Sequence, residues 1–306
     1  RNLWGVWFGG GQFVAVGEGG VILTSPDGQT WTPRVSGTSA WLTSVTYALD
    51  HFIAVGAGGT VLLSRDGVSW QPASARGTAP TARLNVVRFD GSSFLAYGEH
   101  RSVCRFDLPP LIDASNRVTG PWLRCFVRAF DRLIVGGEAG LTLHAPADMY
   151  LTSGYTTPLP TAARNVSGLV LHQDSVVAVA AEGRILVSSD GLVWTEQPSG
   201  TTADLQDITP FNNTLIVAGD NGTILTRDGA GAWTRRTTPT AARLLGVAGG
   251  PGAVVAVGLN GNILRSPAAV SAPAILQGPV RVTESLGGAA SFVVRASGSL
   301  PLTYQW

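Results

Sequence analysis

The sequence contains no lysine: its 21 basic residues are all arginine, set against 20 acidic ones, for a formal net charge of +1. A chain this close to neutral gives no electrostatic reason to expect nucleic acid or an anionic membrane as partner. The arginine bias reads mainly as a coding bias, although arginine also makes planar, bidentate contacts that lysine cannot. Cysteine is nearly absent. Cys104 and Cys125 have no metal-ligand spacing and read as buried free thiols, with a disulfide left open. His51, His100, His144 and His172 are scattered without ligand spacing, so neither a metal nor another cofactor is expected. No run of 18 or more apolar residues occurs, which argues against membrane insertion by a helix. Amphipathic patterns of helical period are missing as well. Charged residues make up only 13% of the chain, while glycine reaches 39 residues among many Val, Ile, Leu and Thr. That combination points to an all-β, turn-rich protein.

One apolar phrase recurs along the chain: FVAVG at 13–17, FIAVG at 52–56, FLAYG at 94–98, LIVGG at 133–137, VVAVA at 176–180, LIVAG at 215–219 and VVAVG at 254–258. Aligned on Gly17, Gly56, Gly98, Gly136, Ala180, Gly219 and Gly258, these define seven units spaced 38 to 44 residues apart. The second unit shows the plan: LTSVTYA, HFIAVG, VLLS and SWQPAS are strands separated by Asp and Gly turns. The second strand is apolar at nearly every position, whereas a sheet with one wet face alternates. Small four-stranded sheets packed face to face around an axis satisfy that pattern, which is a β-propeller. The expected fold is therefore a seven-bladed β-propeller over residues 1–270, its last blade lacking the fourth strand. A strand from upstream of Arg1 is expected to complete that blade.

From residue 271 the texture changes. A linker leads into VRVTESLGG, AASFVVRASG and LPLTYQW. The phrase Ala296-Ser297-Gly298 followed by PLTYQW resembles the start of a bacterial immunoglobulin-like domain. The resemblance implies Trp306 as core tryptophan and no inter-sheet disulfide, since Val294 stands at the cysteine position. Residues 271–306 are too few for such a sandwich, which needs about 100 residues, so a truncated segment and further domains of the same chain are expected.

A second phrase, Ser-x-Asp-Gly-x-x-Trp, appears at 25–31, 64–70 and 188–194, and with one extra residue at 226–233. It resembles the Asp-box of neuraminidase-type (BNR) repeat propellers. The G-x-x-G-x-I-L rhythm of GEGGVIL and GDNGTIL is similar to that of propellers of the photosystem II assembly-factor type. Physical reasoning makes the boxes turns rather than sites. A short Asp side chain accepts backbone N–H groups across the turn, and the glycine takes a left-handed conformation. Asp27, Asp66, Asp190 and Asp228 fall in separate units and cannot converge on a cation.

Propeller ligands are expected on the face carrying the second-to-third strand turns and the inter-blade loops. Just before first strands lie Trp41, Arg83, Trp122, Arg164, Asp204 and Arg243; in the turns lie Glu18, Glu99, His100, Arg101, Glu138, Glu182 and Asp220. The candidate ligand-binding residues are Trp41, Arg83, Trp122, Arg164, Arg243, Glu18, Glu99 and Glu138, with Arg and Trp as anchors. The plainer reading pairs Arg with Glu across blades, contributing about 0–1 kcal/mol each. The irregular stretches 105–122 and 143–160, with Pro109, Pro110, Tyr150 and Tyr155, are a further candidate region. No catalytic residue is assigned: the arginine triad and Arg-Ile-Pro segment of sialidases are missing, as is a second propeller of the glucanase kind. The expectation is a non-catalytic binding or scaffold propeller of a secreted or cell-surface modular protein, recognising a protein or a glycan. The alternative is a polysaccharide-active enzyme or its carbohydrate-binding module.

Overall fold

The computed structural model describes residues 1–75, 80–107, 111–115, 120–138, 141–146, 155–158, 165–229, 231–267, 274–277 and 295–297. The chain divides into two units, Arg1–Ser266 and Pro267–Trp306.

The first unit is an all-β propeller. Each glycine or aspartate turn reverses the chain, so consecutive strands pair antiparallel and build one sheet per repeat. The first repeat pairs Leu3–Gly9, Gln12–Gly17, Ile22–Ser25 and Thr32–Arg34 in that order. The third repeat adds a fifth strand, Ser74–Ala75, parallel to the outer edge. The expected seven-bladed ring is corrected here: among the described residues six sheets have four strands or more, and the last repeat forms a sheet of three, Leu244–Gly250, Ala253–Gly258 and Ile263–Pro267.

The innermost strand of each sheet contacts those of its two neighbours, and the inner strand of the three-stranded sheet lies against Leu3–Gly9. The ring is thereby closed. Its apolar layers lie between sheets. Val14, Val16, Phe52 and Ala54 fill the space between the first and second; Val177, Val179, Leu205 and Leu215 fill that between the fifth and sixth. Leu3, Phe13, Val255 and Val257 seal the three-stranded sheet onto the first. The second strands are buried on both faces, Phe13 to Val16 entirely so, as their unbroken apolar sequence requires. Each large side chain so buried stabilises the fold by about 1.5–3 kcal/mol.

Strand pairing also corrects one alignment. Leu123 pairs with Gly137 as Leu3 pairs with Gly17, so Gly137, not Gly136, holds the equivalent place. Both cysteines are buried thiols, not joined in a disulfide.

In the second unit the described residues form one antiparallel pair, Ala274–Gln277 with Arg295–Ser297. An immunoglobulin-like sandwich is not evident among them: two short strands cannot supply two packed sheets. Val294, Trp306, Pro109, Pro110 and Tyr150 lie outside the described residues.

Candidate binding mouth of the central channel

The inner strand of every repeat carries the same irregularity. Its register against the second strand skips one residue just after the start, between Leu3 and Gly5 in the first repeat and between Leu244 and Gly246 in the last. The skipped residue is a β-bulge, which re-aims a side chain and strengthens the local twist. These residues are Trp4, Thr43, Asn85 and Arg124 in the first four repeats, then Ser167, Gln206 and Leu245. All of them line one cavity of about 780 Å³ along the axis of the ring. The repeat thus builds a polar, aromatic channel out of one position per sheet.

Several of these side chains also tie neighbouring blades together. The Thr43 hydroxyl donates to the Leu84 carbonyl, and the Asn85 amide donates to the Leu123 carbonyl at 2.9 Å. One residue further along, Ser44 Oγ accepts from the Val87 N–H at 3.2 Å and Asp207 from the Val247 N–H at 2.9 Å. An inner edge strand has backbone groups with no ladder partner, and these side chains supply one.

A row of larger side chains crosses the mouth over the first four blades. Trp41 stacks on Trp4, ring centroids 6.0 Å apart. The Arg83 guanidinium lies over the other part of that surface, 5.4 Å from the Trp4 ring. Arg124 stands close enough to Arg83 for the two charges to repel; burial depresses the Arg83 pKa most, Glu99 pulls it back up, and the Arg124 repulsion lowers it by a smaller amount. Arg124 Nη2 is 3.7 Å from Glu138 Oε1, and Glu138 Oε2 accepts from the Trp122 N–H at 3.2 Å.

Deeper in the channel, Arg88 lies 4.6 Å over Trp7 and donates from Nη1 to Ser44 Oγ at 3.2 Å and to the Val87 carbonyl at 2.9 Å. Burial lowers its pKa, and Asp207 across the channel partly restores it. Asp207 is pushed up by the same burial despite two backbone N–H donors. The Cys125 thiol donates to the Val166 carbonyl at 3.6 Å, and burial raises it far above the usual thiol range. It has none of the thiolate character a nucleophile needs.

The predicted rim residues meet through the backbone. In every repeat where both are described, the first residue of the second-to-third strand turn donates its N–H to the residue preceding the inner strand. Glu18 donates to the Asn2 carbonyl, Glu99 to Arg83, Glu138 to Trp122, and Leu259 to Arg243, at 2.9–3.0 Å. The structure therefore brings Trp41, Arg83, Trp122, Glu99 and Glu138 to one side of the mouth. Glu18 folds back onto the Asn2 N–H at 3.3 Å. Arg243 is engaged with Asp220 at 2.6 Å, a stitch between the sixth and last sheets. Arg164 lies outside the described residues. Sequence reasoning passed over Trp4, Trp7, Arg88, Arg124 and Asp207, because nothing in the apolar phrases reveals which inner-strand residues face the channel. Among the described residues no group of three or more His, Cys, Asp or Glu is placed to hold a metal ion.

No family model matches the chain, and no curated protein matches it. Solved structures do. "YCF48 bound to D1 peptide" is 18% identical with a TM-score of 0.70, over 86% of this chain and 91% of that one. "YCF48 from Cyanidioschyzon merolae" is 16% identical with a TM-score of 0.67, over 86% and 94%. A streptogramin B lyase is 13% identical with a TM-score of 0.72, over 86% and 92%. At these identities the likeness is one of fold: all are β-propellers in the same sense as this chain.

Proposed function

We propose that the chain is a non-catalytic binding propeller that recognises a protein segment at the channel mouth framed by Trp41, Arg83 and Trp122. The observation that carries this reading is the row Trp41–Trp4–Arg83–Arg124, which sets an exposed aromatic shelf beside half-buried arginines. Trp and Arg are the side chains that most often anchor protein interfaces. A propeller of similar fold has been solved holding a peptide, which supports the same use of this scaffold. We further assign the Ser-x-Asp-Gly-x-x-Trp turns to the Asp-box type, a role of architecture rather than recognition, and place the chain in a secreted or cell-surface modular protein.

The alternative, a polysaccharide-active protein, draws on the Trp41 ring, which is 42% exposed and offers a stacking face to a sugar. Selection of peptides from a displayed library against the chain, with a glycan array in parallel, separates the two. Peptides that bind, and that weaken by about tenfold or more in Trp41→Ser and Trp122→Ser, are the expected result. Glycan binding that disappears with Trp41 while no peptide is selected would replace this reading with carbohydrate recognition, and turnover of any glycan would overturn the non-catalytic assignment.

A further inference from the structure

Three side-chain donors at the mouth are shielded from solvent and have no hydrogen-bond partner among the described residues: Trp4 Nε1, Arg83 Nε and Arg124 Nε. All three belong to residues lining the same cavity. A buried donor left unmade is costly, and such groups call for a specific explanation. Two further features narrow it. Two guanidinium groups share the mouth close enough to repel, and the Glu99 and Glu138 carboxylates beside them offset that repulsion. The acidic groups nearby engage other parts: Glu138 reaches Arg124 at Nη2, leaving the Nε of both arginines without an acceptor.

We propose that Arg83, Arg124 and Trp4 form a subsite for a single carboxylate carried by an acidic segment of a protein partner. The donor set is donors only, and an ionised carboxylate is acceptors only, with two oxygens for two guanidinium edges. Glu99 and Glu138 flank the subsite, which favours a monoanion over a more highly charged group such as phosphate. The Trp4–Trp41 shelf continues from the subsite toward solvent and suits an apolar residue beside the acid. The inference rests on the reading of this mouth as protein-binding and adds the chemistry of what is bound.

The probes are a labelled hexapeptide of alternating leucine and glutamate and its leucine–glutamine counterpart. Wild-type chain is expected to prefer the glutamate peptide by about tenfold, as charge-assisted pairs are roughly twice as strong as neutral ones. The Arg83→Gln/Arg124→Gln variant is expected to lose that preference. Arg65→Gln, an exposed position on an Asp turn of the opposite face, is expected to keep it. Should the double variant fail to fold, the Nε–H resonances of Arg83 and Arg124 in ¹⁵N-labelled wild type provide the same test, since the glutamate peptide must shift both. Equal affinity for the two peptides, preference retained in the double variant, or unmoved Nε–H signals would overturn the subsite. If neutral library peptides bind the mouth while the glutamate peptide shows no preference, the subsite falls and the protein-binding reading stands. If no peptide of any kind binds, both fall.

Discussion

One carboxylate oxygen of Asp66 accepts the N–H groups of Val68 and Ser69, each at 2.8 Å, while Ser64 Oγ donates to it and accepts from Gly67. The same bonds recur at Asp27 and Asp190. Trp31 and Trp70 then donate to the turn glycines and pack against the preceding sheet. The sequence alone identified these turns because every atom involved lies within a few residues. The fourth copy differs for an equally local reason. Its extra residue leaves Asp228 in a strand, bonded to the Thr214 hydroxyl, and Trp233 bonded to Gln197. The Ser69 and Val68 N–H groups hold the Asp66 carboxyl at about 2, below its ordinary 3.8. A depressed carboxylate pKa contributes stability that is complete above the unfolded value and lost as pH falls through the folded one. Thermal unfolding followed from pH 4 down to pH 2 is therefore expected to show a shallower loss in Asp66→Asn than in wild type, starting from a lower midpoint. Parallel profiles would mean that the turn does not hold its carboxylate as described.

At the scale of the element, the turn between second and third strands shows how repeats separate two demands on glycine. Gly58 and Gly59 both have positive φ, 62° and 68°. A Cβ on Gly58 would meet nothing, and His100, Glu182 and Asn260 occupy the equivalent place in other repeats. A Cβ on Gly59 would sit 1.8 Å from the Pro80 carbonyl oxygen, and Gly183 and Gly222 face the same obstacle at Thr201 and Thr240. Gly58→Ala is expected to cost about 1 kcal/mol through φ alone, and Gly59→Ala well over twice that, as read by chemical denaturation. Equal costs would show that the loop yields and that the close approach is not a constraint. These elements were legible as strands and turns, and their order followed from Gly, Asp and apolar runs. The bulge was not. It is a register slip created by pairing and twist, so the strand letters around Trp4 and Arg124 carry no mark of it. The misplacement of Gly136 for Gly137 has the same origin: two adjacent glycines, Gly136 and Gly137, fit the pattern equally, and only pairing decides between them.

At the scale of the whole molecule, propeller closure was legible as a necessity, since strands apolar on both faces need sheets on both sides. The blade count was not: seven repeats were read as seven blades, whereas among the described residues six sheets have four strands or more. The mouth was legible only in part. Trp41, Arg83 and Trp122 could be placed on one rim from their position before first strands. Their grouping with Trp4 and Arg124 depends on which blades are neighbours around the ring. Antiparallel order also puts the Asp turns and the first-to-second strand turns on the face opposite the mouth, and this makes the central claim directly measurable. Amide hydrogen exchange of the chain, with and without a library-selected peptide, is expected to slow at residues 40–44, 82–86 and 121–125 around the mouth. The turns at 48–51, 89–93 and 128–132 on the other face are expected to exchange unchanged. Protection confined to those opposite turns, or to the outer strands, would contradict the assignment of the mouth as the binding surface.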